Sequence, residues 1–150
     1  MHTLSNSEDR LSIYQRLSSV KPDDERQWGL MSASEMVCHV RGAFRTAMSE
    51  MEFSPIATPI APSALKAIAL WAPVEWKQNF WTIPALKQGA PAMCIGKFEH
   101  DLAEALAEME RFCKPDQVRC DHAFFGSMSF DDWMRWGYLH TDHHLRQFKR

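Results

Sequence analysis

Ser129-Phe130-Asp131-Asp132-Trp133-Met134-Arg135-Trp136-Gly137-Tyr138-Leu139-His140-Thr141-Asp142-His143-His144-Leu145-Arg146-Gln147-Phe148 reads as one amphipathic helix, and that reading decides the fold. At about 100° per residue, Trp133, Trp136, Gly137, His144, Gln147 and Phe148 fall within a right angle of His140, on the side that faces a core. Asp131, Arg135, Tyr138, Asp142, Arg146 and Lys149 gather opposite, the pattern of a solvated face. Ser129 with Asp132 three residues on resembles a capping box and starts the helix near Phe130. His140 and His144 therefore lie one turn apart within the apolar stripe, with Cβ atoms about 5–6 Å apart. Ring nitrogens at that spacing can converge on one metal ion. The competing reading is two packed core histidines bonded to backbone or to Gln147. His143 sits at the stripe's edge and reads as a rim or interface residue.

Working outward, residues 97–113 carry a second strong helical pattern, with Phe98, Leu102, Ala105, Leu106, Met109 and Phe112 inward and Glu104, Glu108 and Arg111 outward. His100 falls on that charged face. Ser32-Ala33-Ser34-Glu35 is a capping box opening a helix to about Met51. Its stripe is Met36, Val40, Ala43, Phe44, Ala47, Met48 and Met51. Residues 7–19 form the first helix, with Leu11, Ile13, Tyr14 and Leu17 as its apolar positions, ending before Lys21-Pro22. Between the second and third long helices lie Pro55, Pro59, Pro62, Pro73, Pro84 and Pro91. These prolines exclude one continuous helix and leave room for a short one from about Ser63 to Trp71. Convincing period-two strands are absent. The expected fold is all-α, a four-helix bundle with a proline-rich connection between helices 2 and 3, forming one domain over residues 1–150.

Composition bounds the function. The chain has 150 residues, 45% hydrophobic and 24% charged, with a net charge of −2. That balance gives no electrostatic reason for a nucleic acid or an anionic membrane as partner. Cys38, Cys94, Cys113 and Cys120 show no CxxC spacing, which reads as reduced thiols and a cytoplasmic protein. No stretch reaches the length of a membrane span and no signal segment opens the chain.

Helical bundles build metal sites from facing helices, and His39 on the second helix is the natural third ligand. By phase it lies about 100° from its helix's stripe, beside Glu35, Thr46 and Glu50, on the wall of a polar pocket or in solvent. Gln27-Trp28-Gly29-Leu30-Met31-Ser32-Ala33-Ser34-Glu35-Met36-Val37-Cys38-His39 resembles the opening of one branch of the DinB-like superfamily, a branch of domains of unknown function. Phe125-Gly126-Ser127-Met128-Ser129, Asp132-Trp133 and His140 through Phe148 resemble its ending. Trp81-Thr82-Ile83-Pro84-Ala85-Leu86 is similar to its connector. The resemblance implies a DinB-like up-down-down-up four-helix bundle in which His39, His140 and His144 hold a divalent metal ion. Relatives in that superfamily include transferases and isomerases using low-molecular-weight thiols, others described as hydrolases, and some homodimers. The branch commonly shows His-Pro before its Phe-Gly. Here Asp121-His122-Ala123-Phe124-Phe125-Gly126 lacks the proline, leaving His122 as a further pocket candidate.

Three neutral imidazoles leave an ion with open positions for water or substrate. Zinc, nickel and iron all suit them, as does copper. No carboxylate follows His140 as in HExxH peptidases: Thr141 stands there and Asp142 faces away. Glu35 reads as a capping residue or as a partner of His39, and Gln147 as a hydrogen-bond partner of a ligand. Trp133 and Trp136 read as core. Two functional readings stay open. One is a metal-dependent enzyme, a hydrolase or a low-molecular-weight-thiol transferase acting on a small-molecule substrate. The other is a non-catalytic metal- or small-ligand-binding bundle for sensing or stress response. Haem ligation by His140 or His144 fits the paired spacing less well.

Overall fold

The computed structural model describes residues 1–78, 83–87 and 95–150, and all regular structure among them is helical, with no strand. In chain order these are α1 (Ser7–Ser18), α2 (Ala33–Ala47), a short α3 (Pro62–Lys66) that runs on as a π-helical turn (Ala67–Trp71), a 3-10 turn (Pro84–Leu86), α4 (Phe98–Phe112) and α5 (Phe130–Gln147). Trp81, Thr82, Pro91 and Cys94 lie outside the described residues. Helix α2 packs along α4 and α5, and α1 packs along the same two helices. No described helix is long and apolar enough to cross a membrane.

Local chemistry sets the helix ends. The Ser32 hydroxyl accepts from the Glu35 N–H at 3.2 Å and the Glu35 carboxylate accepts from the Ser32 N–H at 2.7 Å, satisfying two of the free donors of α2. Ser129 and Asp132 form the same reciprocal pair on α5. The sequence pattern carries α2 to about Met51, but the helix closes at Ala47. Ser49 adopts φ of 65°, its N–H bonds the Thr46 carbonyl and the Glu50 N–H bonds the Arg45 carbonyl. This left-handed closure consumes the last carbonyls and turns the chain away before the stripe runs out. Lys149, with φ of 57°, closes α5 in the same way.

Phe44 of α2, Phe112 of α4 and Trp136 of α5 meet ring to ring at the centre, with centroid distances of 4.9 to 6.2 Å. Burying each such ring contributes about 1.5–3 kcal/mol. Gly137 makes the approach possible: a Cβ there would stand 2.7 Å from Leu4 Cδ1 and 3.0 Å from Phe112 Cε1.

Two sequence-based expectations change. On α1 the buried positions are Ile13 and Leu17, while Leu11 is 56% exposed and Tyr14 lies at the surface. The far side of α5 is solvated only at its ends, where Asp131 and Lys149 are exposed. Arg135 is buried, donating to the His2 carbonyl at 2.6 Å and the Leu70 carbonyl at 2.8 Å. Asp142 pairs with Arg16 of α1 at 2.8 Å, and Tyr138 stacks on His2. The N-terminal segment, α1 and the π-helical turn cover the middle of this side, where Arg135 and Asp142 are spent on backbone carbonyls and an ion pair.

Asp132 ties the proline-rich connection to α5, accepting from Lys66 Nζ at 2.9 Å and from Trp71 Nε1 at 2.8 Å. Burial alone would raise this carboxyl, but the bonds from Lys66, Ser129 and Trp71 outweigh it and hold the group at about 2. Because the folded value lies below the unfolded one, the stabilisation is complete above about pH 4 and disappears as pH falls through about 2. Asp132→Asn should therefore lower stability at pH 7, and urea titrations should show the gap to wild type closing as the solution is acidified through that window. Gly137→Val should cost about 2–3 kcal/mol by overpacking, read as a lower urea midpoint at unchanged slope.

Candidate metal centre

His39, His140 and His144 come together in the interior. Their ligand atoms all lie within 4.8 Å of one another, and their ring centroids are 4.5 to 5.2 Å apart. Helix α2 supplies His39, which is 3% exposed and so lies off the solvent face, on the wall of a pocket. Helix α5 supplies the other two from successive turns. His140 stacks on Trp136 at 4.8 Å with an interplanar angle of 18°.

Hydrogen bonds fix which nitrogen of two rings is free. The Leu86 carbonyl, on the 3-10 turn, can only accept, so His39 Nδ1 donates to it at 3.0 Å and His39 Nε2 keeps its lone pair. Gln147 Nε2 donates to the Trp28 carbonyl at 2.7 Å, which turns its Oε1 toward His144. His144 Nδ1 donates to that oxygen at 3.3 Å, leaving Nε2 bare. Gln147 is thus the hydrogen-bond partner of a site histidine, while Glu35 serves the capping box at the start of α2. His39 Nε2 and His140 Nε2 face each other at 3.3 Å, and His140 Nδ1 is buried with no hydrogen-bond partner.

A zinc-sized tetrahedral ion, with nitrogen ligands about 2.0–2.1 Å away, separates those nitrogens by about 3.3 Å. The His39–His140 spacing matches that geometry. Burial pushes the His39 imidazole down to about 4, against the opposing Leu86 bond. Burial, reinforced by the neighbouring histidines, holds His140 and His144 well below their ordinary value. All three rings are therefore neutral near pH 7, the state in which imidazole ligates a metal. The charged neighbours acting on them are other histidines, with no carboxylate among them.

The rings open into a cavity of about 650 Å³, walled mainly by apolar and aromatic side chains. Trp76 approaches His140 and His143, and Trp28 approaches His143, which is half-buried at this edge. Trp133 and Trp136 are core residues whose faces also line the cavity. The described part of the proline-rich connection supplies further wall, including Phe53, Leu65, Trp76 and Leu86. Trp76 and the Leu86 carbonyl carry no periodic signal, so nothing in the sequence marked them. Among the described residues, Cys38, Cys113 and Cys120 form no disulfide with one another. His100, exposed on α4, belongs to a second group with Asp101 and Glu104, but both carboxylates there are engaged by Arg41, at 2.6 and 2.5 Å.

Residues 83–150 match the model of a family described as "Protein of unknown function (DUF1569)". The matched region contains Leu86, His122, His140, His144 and Gln147 but not His39. No curated protein and no solved structure matches the chain.

Proposed function

We propose that this chain is a DinB-like four-helix bundle in which His39, His140 and His144 hold one divalent metal ion, and that it is a metal-dependent enzyme acting on a small molecule. The observation that carries the reading is the 3.3 Å approach of His39 Nε2 to His140 Nε2, with the His39 lone pair turned inward by the Leu86 carbonyl. With the proton of His140 on Nε2 the contact is a hydrogen bond that leaves Nδ1 a buried acceptor without a partner; with the proton on Nδ1 two lone pairs meet, and a cation between them relieves the repulsion. The resemblance of the C-terminal motif to the DinB-like branch supports the same ligand set.

When bound, the ion supplies Lewis acidity that acidifies a water or a thiol and polarises an oxygen. The protein's own part is to hold and orient. Leu86 and Gln147 lock two rings in the ligating tautomer, as partners of ligand histidines commonly do. Trp136 and the burial of α5 exclude bulk water. Three neutral ligands bring no charge of their own to a divalent ion, and Glu75 and Asp121 line the cavity without joining the triad, which favours an anionic group of the substrate or cosubstrate at the ion. A thiolate suits that environment, and among the described residues no carboxylate joins the rings as a peptidase-type base would. A low-molecular-weight-thiol transferase is accordingly favoured over a hydrolase. The cavity volume, within the usual 300–1,000 Å³ range of small-molecule sites, favours turnover over a closed site for sensing. A cytoplasmic location fits thiol chemistry, and a homodimer fits the resemblance.

Tag-free protein purified without added metal should contain about one divalent ion per chain by mass spectrometry. His140→Ala and His144→Ala should each strip it, and full retention by the double variant would remove the metal site. Gln147→Met should weaken metal affinity by about 10–100-fold, measured by competition with a chelator. In the cobalt-substituted protein, a small thiol should alter the visible spectrum. A spectrum indifferent to thiols and to hydroxamates would favour the non-catalytic reading.

A further inference from the structure

The cavity holds a fourth histidine that the triad does not use. His122 lies in the loop before α5, where its N–H donates to the Gly126 carbonyl at 2.8 Å and its own carbonyl accepts from the Gly126 N–H at 2.9 Å. Gly126 closes this tight pairing with φ of 65°. The His122 ring is stacked on Phe125 at 4.3 Å and packed against Trp133 and Trp136 at 5.7 and 5.6 Å. Trp136 also carries His140, so the two histidines are separated by a single indole.

The protonation of His122 follows from one hydrogen bond. The Phe124 N–H donates to His122 Nδ1 at 3.2 Å, so Nδ1 is an acceptor and the proton of the neutral ring sits on Nε2. Burial pushes the group down to about 3, which keeps it neutral near pH 7. Among the described residues no protein group accepts from Nε2, although the ring lines the cavity. Facing the cavity, this N–H is open to solvent, and a ligand that displaces solvent without offering an acceptor leaves it unpaired, which is costly.

We infer that His122 is a ligand-recognition residue, whose Nε2–H donates to an uncharged acceptor, such as a carbonyl, on an aromatic-sized apolar molecule in the cavity. The inference rests on the proposed function for the existence of a small-molecule site, but it does not require the ion. A ligand of the same shape without the acceptor leaves the donor unpaired and is rejected on that account. The substrate class is thus narrowed to apolar molecules carrying a neutral hydrogen-bond acceptor remote from the group that approaches the histidine triad.

The test uses two probes of similar shape, acetophenone and isopropylbenzene, titrated into the full chain by ligand-observed NMR with and without zinc. The readout is the ratio of their dissociation constants. His122→Phe preserves the ring stack and removes the donor, and it should reduce the preference for acetophenone by about fivefold. His122→Gln restores an N–H near the same place and should keep most of the preference. Nitrogen-15 shifts of the wild-type imidazole should place the proton on Nε2. An unchanged ratio in His122→Phe, a proton on Nδ1, or no binding of acetophenone to the wild type would each overturn the inference. Joint loss of metal and preference in His122→Phe would also overturn it, as the mark of a merely structural role. A wild type that takes up no zinc yet keeps the preference, lost in His122→Phe, would sink the metal reading and leave this one standing.

Discussion

Two imidazole nitrogens pointing at each other across 3.3 Å, inside a core, are the constraint around which the chain is arranged. In either tautomer of His140 one of its two nitrogens stays unsatisfied, and the fold holds the approach from both sides. Helix α5 is fixed by its capping box, by the Phe44–Phe112–Trp136 ring cluster and by the pairing of Arg135 and Asp142 with the elements around it. Helix α2 is fixed by its own capping box and by the buried Arg41–Asp101 ion pair to α4. With both helices held, neither histidine can retreat without opening a cavity or stranding a polar group.

The chemistry of the site follows from what surrounds the rings as much as from the rings themselves. Carbonyl and amide oxygens, rather than carboxylates, orient His39 and His144. Among the described residues no carboxylate joins the three rings, although Glu75 and Asp121 line the same cavity. His140 differs from its two neighbours: its second nitrogen meets no partner, and its position comes from stacking on Trp136.

How much of this could be read from the sequence depended on periodicity. The i, i+4 spacing of His140 and His144 within an apolar stripe pointed both inward, and two capping boxes marked helix starts at Ser32 and Ser129. His39 was ambiguous because helical phase says nothing about what covers a face. The wall over it comes partly from the 3-10 turn at Leu86, far along the chain in a segment without a repeat. Arg135 and Asp142 looked solvated for a related reason. Charge predicts exposure only until another element arrives with matching partners, here the His2 and Leu70 carbonyls and Arg16. The end of α2 turned on Ser49 entering a left-handed conformation, which a serine in a sequence does not announce.

The bond from His39 to the Leu86 carbonyl has one more implication. It joins a ring on α2 to the backbone of the segment that walls the cavity, so occupancy of the inner nitrogen and placement of that segment are thermodynamically linked. A cation drawing electron density from the ring makes Nδ1–H a stronger donor, tightening its grip on Leu86. By reciprocity, anything that seats Leu86 against His39 strengthens the hold on the cation by the same factor. For the proposed ion, loading and the seating of Leu86 against His39 are two faces of one equilibrium.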